Sequence, residues 1–269
     1  MQSNIEKLKN IDFVFKKNLG QNFIFDTNLL NAIVADSTVT KDDLVIEVGA
    51  GAGTLTESLA NHAKQVISFE IDEKLRPILS ELEKKHSNLK IEFMDILKSD
   101  ISKFVGEKKF RVVANLPYYI TTPIIFHFLA CENLQSITVM VQKEVAERFV
   151  AKPNTENYGA VTAQLAAYGN AKITRIVNKS MFTPPPKVDS AIVRLDISKK
   201  QGVKNFKVLQ KLIAASFAMR RKTLVNNLIS GFGISREKAE NLVKEVGFVL
   251  TIRGEVLGID DFIKLANLI

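Results

Sequence analysis

The chain has 269 residues, of which 46% are hydrophobic and 25% are charged, and these proportions are ordinary for a globular protein. Its length suits one large domain, or a domain of about 190 residues with a smaller one appended. No apolar run reaches the roughly 18 residues that a membrane helix needs, and the opening MQSNIEKLKN lacks the apolar segment of a signal peptide. A single cysteine, Cys131, excludes an internal disulfide, and three scattered histidines offer no zinc or other metal site. We therefore expect a cytoplasmic protein with no membrane partner.

Short apolar runs alternate with helical patterns over the first 150 residues. Buried strands are predicted over 43–48, 65–71, 89–94, 110–114 and 136–141. Helices are predicted between them, over 27–37, 53–63, 73–85 and 122–132, and Asp26 is the expected N-cap of the first. Strands and helices that alternate at this spacing indicate an α/β fold, with a parallel sheet covered on both faces.

The pattern changes in the last third of the chain. Strands over 171–178 and 190–197 flank a proline-rich segment and are predicted to pair antiparallel at a sheet edge. Beyond them the pattern is helical, over 205–219, 222–230, 235–247 and 259–269. We therefore place a domain boundary near Ile197, which gives a first domain of residues 1–197 and an all-helical domain of residues 198–269.

Positive charge is concentrated in the helical domain. The net charge is +8, and the last 80 residues alone hold 14 Lys or Arg against 7 Asp or Glu. No acid stands between Asp196 and Glu237, whereas bases recur there up to the triplet Arg220, Arg221 and Lys222. A one-sided stretch of this kind favours a polyanionic partner such as nucleic acid, and a solvated basic face is the alternative.

The segment EVGAGAGTLT (47–56) closes one predicted strand and opens a helix. Its glycines Gly49, Gly51 and Gly53 allow a tight turn and let a ligand approach the backbone closely. A dinucleotide fingerprint would place its third glycine at position 54, where this chain has Thr54. The loop therefore favours a ligand without pyrophosphate, although a tight turn without a ligand is the alternative.

Acids follow the next two strands. Glu70 ends the strand after the glycine loop, where a carboxylate can accept hydrogen bonds from ribose hydroxyls. Asp95 follows the third strand, where a carboxylate can accept from an adenine amino group. Each acid alone is more often a solvated loop residue. Because the carboxyl ends of neighbouring parallel strands share one ligand crevice, the two acids and the glycine loop together predict a site for adenosine.

The segment NLPY, from Asn115 to Tyr118, ends the fourth strand. Amino-methyltransferases that use S-adenosylmethionine carry this pattern. We expect the side-chain oxygen of Asn115 and the carbonyl of Leu116 to accept the two N–H bonds of an adenine amine, which leaves its lone pair to attack a methyl group. Pro117 would stiffen the turn, and Tyr118 would offer a face on which the base stacks. A polar turn is the alternative.

An adenine inside a double helix cannot reach such a pocket, so it must be unpaired or flipped out. A second aromatic ring would then hold the base from its other side. Phe182, in FTPPPKVDS, is the candidate for this ring, and an ordinary core phenylalanine is the equal alternative.

Nine segments of the chain form one ordered set. They are KKNLGQNFIFD (16–26), EVGAGAGTLT (47–56), FEID (69–72), FMDIL (93–97), ANLPYYITTPII (114–125), VQKEVAERFVAKP (141–153), YGAVT (158–162), FTPPPKVDSAIVRL (182–195) and SFAMRRKTLVNNL (216–228). This set closely resembles the KsgA/RsmA family, the small-subunit ribosomal RNA adenine dimethyltransferases. The chain departs from the family pattern at Ile24, Tyr119 and Met219, where many members have Leu, Asn and Gln.

The resemblance implies a Rossmann-like class I methyltransferase domain over residues 1–197 and a small helical domain that binds rRNA over residues 198–269. It implies that S-adenosylmethionine is the cofactor. It also implies transfer of two methyl groups to each of two adjacent adenosines near the 3′ end of 16S rRNA. The partner would be a late assembly intermediate of the small ribosomal subunit, and we expect a monomer to bind it.

The resemblance also assigns roles by position. It assigns cofactor contacts to Asn22, Ile24, Gly49, Gly51, Glu70, Asp95 and Asn115. It assigns catalysis and contact with the target base to Asn115, Leu116, Pro117, Tyr118 and Phe182. We expect Arg220, Arg221 and Lys222 to contact rRNA phosphates, with Lys16 and Lys17 as a second basic patch, although the arginines could instead pack helices together.

Three rival functions fit part of this pattern. Erythromycin-resistance methyltransferases share the fold and the chemistry but modify large-subunit rRNA, and the LGQNF, NLPYYITTPI, FTPPPKVDSA and RRKTLVNNL segments favour the KsgA/RsmA family. A non-catalytic RNA-binding factor is disfavoured by the intact Gly49, Glu70 and Asp95. DNA adenine methyltransferases usually carry an acid or Asn before two prolines and an aromatic residue, and this chain lacks that motif.

Overall fold

The computed structural model describes residues 6, 8, 10–16 and 19–269, so Lys17 of the predicted second basic patch lies outside the described residues. The strands of this part of the chain are β1 (Phe23–Ile24), β2 (Leu44–Val48), β3 (Gln65–Glu70), β4 (Leu89–Phe93), β5 (Phe110–Asn115), β6 (Leu134–Gln142), β7 (Gly169–Val177), β8 (Phe182–Thr183) and β9 (Ser190–Ile197). Its α-helices are α1 (Thr27–Ser37), α2 (Thr54–His62), α3 (Arg76–Lys85), α4 (Ser102–Val105), α5 (Thr121–Leu129), α6 (Lys143–Phe149), α7 (Ala160–Tyr168), α8 (Phe206–Ala218), α9 (Leu224–Phe232), α10 (Arg236–Glu245) and α11 (Ile259–Ala266). None of the helices described has the length and apolarity that crossing a membrane requires.

Seven strands form one sheet, in the order β4-β3-β2-β5-β6-β9-β7. The pairs from β4 through β6 are parallel, and β9 pairs antiparallel with β6. The five strands predicted in the first 150 residues are confirmed, with bounds that differ by at most two residues. The two late strands, β7 and β9, also lie side by side at one edge of the sheet, as expected.

Burial explains why these segments form central strands. All five residues of β2 are buried, and Val45 and Ile46 have no exposed surface. A strand covered on both faces must be apolar almost throughout, because no alternate residue reaches water. The parallel register, which pairs Val48 of β2 with Phe69 of β3 and Glu70 of β3 with Phe93 of β4, brings the carboxyl ends of these strands to one edge of the sheet.

Local signals set the helix starts. The side chain of Asp26 accepts a hydrogen bond from the backbone N–H of Leu29 at 2.7 Å, which confirms the predicted N-cap of α1. In the helical part of the chain, Asn205, Thr223 and Ser235 cap α8, α9 and α10 in the same way.

The short antiparallel pair β1–β8 was not predicted. It joins Phe23 to Thr183 and Ile24 to Phe182. Each strand has only two residues, which is too short for a periodic signal in the sequence. The pairing attaches the segment before α1 to the segment that precedes β9.

The chain divides into two compact units. The first contains residues 1–146 and 172–197, and the second contains 147–171 and 198–269. The predicted boundary at Ile197 coincides with one of these divisions, but the prediction placed 147–171 in the first domain. This segment instead belongs to the second unit, because Tyr158, Ala163 and Ala167 are buried in its helical core. The helix α7 within it was also not predicted, nor was α6, which ends in this segment.

Gly231 of α9 lies close against Ala215 of α8, and this contact gives a test of the packing in the second unit. A Cβ atom at Gly231 would lie 2.5 Å from Cβ of Ala215. Alanine normally stabilises a helix interior by about 1 kcal/mol relative to glycine. Here we expect Gly231→Ala to lower the free energy of unfolding by about 1–2 kcal/mol, because overpacking outweighs propensity. Chemical denaturation followed by circular dichroism measures this change.

The control for this prediction is Ser230→Ala, an exposed position in the same helix that should not be destabilised. Adding Ala215→Gly to Gly231→Ala removes the clash and should restore most of the lost stability. A Gly231→Ala variant as stable as the wild type would show that the two helices do not approach this closely.

Candidate active site

A cavity opens where β2, β3, β4 and β5 end, an edge that we name the carboxyl edge. Nine of the predicted site residues line this cavity, namely Asn22, Gly49, Gly51, Glu70, Asp95, Asn115, Leu116, Pro117 and Tyr118. They come from five separate segments of the chain. The parallel sheet therefore brings together most of the residues that the sequence singled out.

The glycine loop bends sharply at the end of β2. Gly49 and Gly51 have φ angles of +80° and +55°, a region that favours glycine. The backbone N–H of Gly49 donates to the carbonyl of Phe69 at 2.8 Å, which attaches the loop to β3. A Cβ atom at Gly51 would lie 3.0 Å from the ring of Phe23, so only glycine fits there without a shift of that ring.

Glu70 is held in place by the backbone around it. Its Oε2 accepts from the N–H of Gly51 at 2.9 Å, and its Oε1 accepts from the N–H groups of Ile71 and Asp72, both at 2.8 Å. Burial raises the pKa of Glu70, and the three N–H donors oppose this rise. Oε2 receives one of these bonds, so it keeps a lone pair with which to accept a ligand hydroxyl.

Asp95 follows β4 and begins a short 3₁₀ turn. Its Oδ1 accepts from the backbone N–H of Leu97 at 3.0 Å, and its Oδ2 lies 3.8 Å from the ammonium of Lys98. Oδ2 can therefore still accept a hydrogen bond from a ligand. The neighbouring side chains of Met94 and Ile96 add apolar surface to the lining.

The amide of Asn115 has a defined orientation. Its Nδ2 donates to the carbonyl of Asn22 at 2.9 Å, and a carbonyl accepts only from the nitrogen end of an amide. No donor faces Oδ1 of Asn115 among the residues that the structure describes. The orientation therefore leaves the amide oxygen of Asn115, a residue that lines the cavity, able to accept a hydrogen bond, and acceptance from an adenine amine stays a prediction.

The turn after Asn115 is fixed by hydrogen bonds to one carbonyl. The backbone N–H of Ile120 and the hydroxyl of Thr121 both donate to the carbonyl of Pro117, each at 3.2 Å. The side chain of Leu116 is buried, so this residue can offer a ligand only its backbone.

Two tyrosines of the turn differ in their surroundings. The hydroxyl of Tyr118 lies 2.7 Å from Oγ of the buried Ser190, and burial raises the pKa of Tyr118. This contact anchors the ring of Tyr118 at the cavity. Tyr119 also lines the cavity but is 60% exposed, and it was not among the predicted site residues.

Ile24 and Phe182 do not line the cavity. They pair with each other across β1 and β8, and both are buried in the core of the first unit. The carbonyl of Ile24 accepts from the hydroxyl of Thr54 at 2.7 Å. Stacking of Phe182 on a target base would require its ring to leave this core, and it stays a prediction.

The predicted basic residues also have different surroundings. Arg220, Arg221 and Lys222 are exposed in the turn after α8, and a weak ion pair of 3.8 Å joins Arg220 to Glu255. All three side chains reach solvent, and their contact with rRNA phosphates stays a prediction. Lys16 is not, because its ammonium forms an ion pair of 2.7 Å with Asp72.

The cavity fits S-adenosylmethionine by the chemistry of its lining. The loop of Gly49 and Gly51 leaves backbone surface free of side chains, and Glu70 and Asp95 present carboxylate oxygens that can accept hydrogen bonds from hydroxyl and amino groups. The apolar part of the wall, which was not predicted, is formed by Leu19, Phe23, Val48, Phe69, Ile71, Met94, Ile96 and Ile120. A flat adenine ring needs such a wall.

No cluster of three potential metal-ligating side chains occurs in the part of the chain that the structure describes.

Glu47 was missed by the sequence analysis as a functional candidate. It is fully buried in β2, where its Oε2 accepts from the hydroxyls of Thr56 and Ser68, both at 2.6 Å. Its Oε1 has no partner in the described structure. Burial, opposed by the two hydroxyls and assisted by nearby Glu70, raises the pKa of Glu47 to about 7. An acid within the otherwise apolar run LVIEV (44–48) was the signal that could have found it.

A sequence profile described as "Ribosomal RNA adenine dimethylase" matches residues 12–265 of the chain. Two relatives of the chain are named "Ribosomal RNA small subunit methyltransferase A". The one from Oceanobacillus iheyensis is 43% identical over 95% of this chain and 90% of its own length. The one from Lachnoclostridium phytofermentans is 45% identical over 98% of this chain and 95% of its own length.

Solved structures agree with this similarity. A dimethyladenosine transferase from Plasmodium falciparum matches with a TM-score of 0.78 and 27% identity, over 90% of this chain and 95% of its own. The 23S rRNA methyltransferase ErmE matches with a TM-score of 0.72 and 25% identity, over 92% of this chain and 99% of its own. The Rossmann-like methyltransferase fold with a helical C-terminal part is therefore established for this chain.

The buried Glu47 predicts a pH dependence of stability. The ordinary pKa of this group is 4.5, so between pH 4.5 and about 7 the folded chain holds a proton that the unfolded chain releases. Stability should therefore fall as pH rises through this window. Glu47→Gln resembles the neutral acid, so its stability relative to wild type should improve by up to about 3 kcal/mol from pH 5 to pH 8. Denaturant unfolding of both proteins across this range measures the difference, and a difference that does not change with pH would contradict it.

Proposed function

Because the chain belongs to the ribosomal RNA adenine dimethylase family, a family of S-adenosylmethionine-dependent enzymes, we propose that its substrate is 16S rRNA. The proposed reaction transfers two methyl groups to the exocyclic amine of each of two adjacent adenosines near the 3′ end. The proposed partner is the small ribosomal subunit late in its assembly, bound by a monomer, in the cytoplasm where ribosomes are made.

The orientation of Asn115 is the observation that carries this proposal. An adenine amine is a poor nucleophile, because its lone pair is delocalised into the ring. Acceptors that hold both of its N–H bonds favour a pyramidal nitrogen whose lone pair is free. The bond from Nδ2 to the carbonyl of Asn22 leaves Oδ1 of Asn115 to take one N–H, and the carbonyl of Leu116 takes the other.

The remaining residues position the two reactants. S-adenosylmethionine supplies a methyl group bound to a positively charged sulfur. Glu70 would accept hydrogen bonds from its ribose and Asp95 from its adenine amine, beside the bare backbone of Gly49 and Gly51. The ring of Tyr118, anchored on Ser190, would stack on the target base. Attack of the amine would break the bond between the methyl group and sulfur, release a neutral thioether and pass one proton from the methylated nitrogen to water. Positioning and electrostatics would therefore supply most of the rate.

Sequence identity to the relatives favours the small subunit over the large one as the source of the substrate rRNA. Proteins named for the small subunit share 43% and 45% identity with this chain, whereas the enzyme named for 23S rRNA shares 25%. The exposed turn of Arg220, Arg221 and Lys222 supports contact with RNA phosphates. An assembly intermediate is proposed as the partner because the target adenosines must be unpaired or flipped out to reach the cavity.

Methyl transfer to two substrates tests the proposed function. Labelled S-adenosylmethionine would be supplied with unmethylated small subunits in one reaction and unmethylated large-subunit rRNA in the other. We expect label in the small subunit, recovered as dimethyladenosine at two adjacent positions. Label only in large-subunit RNA would make the chain a resistance-type enzyme, and tight small-subunit binding without label would make it a non-catalytic factor.

Replacing Asn115 by Ala should separate catalysis from cofactor binding. The variant loses the acceptor for one N–H of the amine, so kcat/KM for small subunits should fall at least about a hundredfold. Affinity for S-adenosylhomocysteine should be partly retained. Asn133→Ala, which removes a partly exposed amide directly before β6 that does not line the cavity, is the matched control and should keep wild-type turnover. Near-normal turnover in Asn115→Ala would refute the mechanism.

Removing Arg220 and Arg221 should weaken binding to the small subunit and reduce its salt dependence. Each phosphate that the variant no longer neutralises should flatten the plot of log K against log salt by about 0.7–0.9. The matched control removes the exposed Lys238 and Lys244 of α10, which deletes the same charge from the same unit. If the arginine variant kept the wild-type slope, the two arginines would not contact phosphates.

A further inference from the structure

A closed ring of hydrogen bonds joins Lys16, Gln21 and Asp72. The ammonium of Lys16 donates to Oδ1 of Asp72 at 2.7 Å, and Nε2 of Gln21 donates to Oδ2 at 2.8 Å. The backbone N–H of Lys16 donates to Oε1 of Gln21 at 2.7 Å, which closes the ring. We name this arrangement the Asp72 ring.

The direction of every bond in the Asp72 ring is determined by chemistry. Both groups of Lys16 can only donate, so the oxygen of the Gln21 amide must face the backbone N–H. The nitrogen of that amide is then left to face Asp72. A carboxylate can accept from this nitrogen and from the ammonium at the same time, whereas an asparagine would turn its own NH₂ group toward one of the two donors.

The carboxylate of Asp72 is fully buried, while the side chain of Lys16 is 35% exposed. Burial alone would raise the pKa of Asp72, but hydrogen bonds from Lys16, Gln21 and the backbone N–H of Lys74 outweigh it and lower the pKa below its ordinary value. Asp72 is therefore charged at neutral pH. A buried charge that loses a partner is strongly destabilised. The hydrogen-bond partners of Asp72 therefore hold its carboxylate in this position.

The Asp72 ring connects two walls of the cavity. The backbone N–H of Asp72 donates to Oε1 of Glu70 at 2.8 Å. On the other side, Gln21 lines the cavity and directly precedes Asn22, whose carbonyl accepts from Asn115 at 2.9 Å. Residue 72 thus touches the acid at the end of β3 and, through Gln21, the segment that orients the amide at the end of β5.

We propose that Asp72 is a positioning residue for cofactor binding: its carboxylate seats the 19–23 segment against the carboxyl edge while its backbone holds Glu70. Asp72 acts through Gln21 and Glu70, since both of these line the cavity and Asp72 does not. The inference rests on the cofactor role proposed for Glu70 and on the base-binding role proposed for Asn115.

A double-variant cycle tests the Asp72 ring. Asp72→Asn leaves two donors facing each other, and Gln21→Glu leaves two carboxylates facing each other. The combined variant restores every contact with the amide and the carboxylate exchanged, and it keeps the net charge. The dissociation constant for S-adenosylhomocysteine would be measured by calorimetry on the full chain, at a temperature where circular dichroism shows every variant folded.

We expect each single variant to bind S-adenosylhomocysteine roughly tenfold more weakly than wild type, as loss of a charge-assisted hydrogen bond implies. The double variant should recover to within about threefold of wild type, because residues in one network are not additive. A further variant, Lys16→Met, removes the lysine of the ring. Its control is Lys64→Met, which removes a lysine charge at an exposed site directly before β3 and should bind as wild type does.

Wild-type affinity in Asp72→Asn, or losses that simply add in the double variant, would overturn the proposal. If Asp72→Asn does not fold, Lys16→Met replaces it, because it removes one member of the ring at a partly exposed position. We expect weaker binding from Lys16→Met as well, and wild-type affinity there would also overturn the proposal.

Cofactor binding requires no RNA, so this result is separable from the proposed function. The expected cofactor affinities in the three variants, together with no methyl transfer to small-subunit rRNA by the wild type, would support the Asp72 ring and refute the proposed function. Methylation of small subunits with unchanged cofactor affinity in every variant would support the function and refute the ring.

Discussion

The parallel pairing of β2, β3, β4 and β5 is the constraint on which the rest of the site depends. Strands such as β2 are buried on both faces, so their apolar side chains fix the order and the register of the sheet. Parallel strands end at the same edge, and segments that are distant in sequence therefore meet there. Backbone N–H groups at these ends hold the carboxylate of Glu70, and a backbone carbonyl orients the amide of Asn115.

The positions of the polar residues at the carboxyl edge could be predicted from the sequence. Gly49, Glu70, Asp95 and Asn115 each stand at or directly after the end of an apolar run, and a run that is buried on both faces is recognisable without a structure. A helical pattern between successive runs indicates parallel order, because parallel strands need a long crossover connection. These two local signals are sufficient to place all four residues at one cavity, where the structure has them.

What the sequence could not provide was the pairing of distant segments. Whether Phe182 faces the cavity or the core depends on its pairing with Ile24, which lies more than 150 residues away. The sequence around Lys16 suggests an exposed basic patch, and only the structure shows the ion pair of Lys16 with Asp72. The segment 147–171 precedes the predicted boundary but packs in the second unit, because Tyr158 and its neighbours bury their side chains among the later helices. None of these pairings has a periodic or compositional signal.

The orientation of Asn115 is the central claim, and a crystal structure of the chain with S-adenosylhomocysteine and an adenosine nucleoside tests it most directly. We expect Nδ2 of Asn115 to remain on the carbonyl of Asn22, while Oδ1 and the carbonyl of Leu116 each lie within hydrogen-bonding distance of the adenosine amino group. An adenosine amino group bound away from both oxygens, or an Asn115 side chain that has left the carbonyl of Asn22, would contradict this claim.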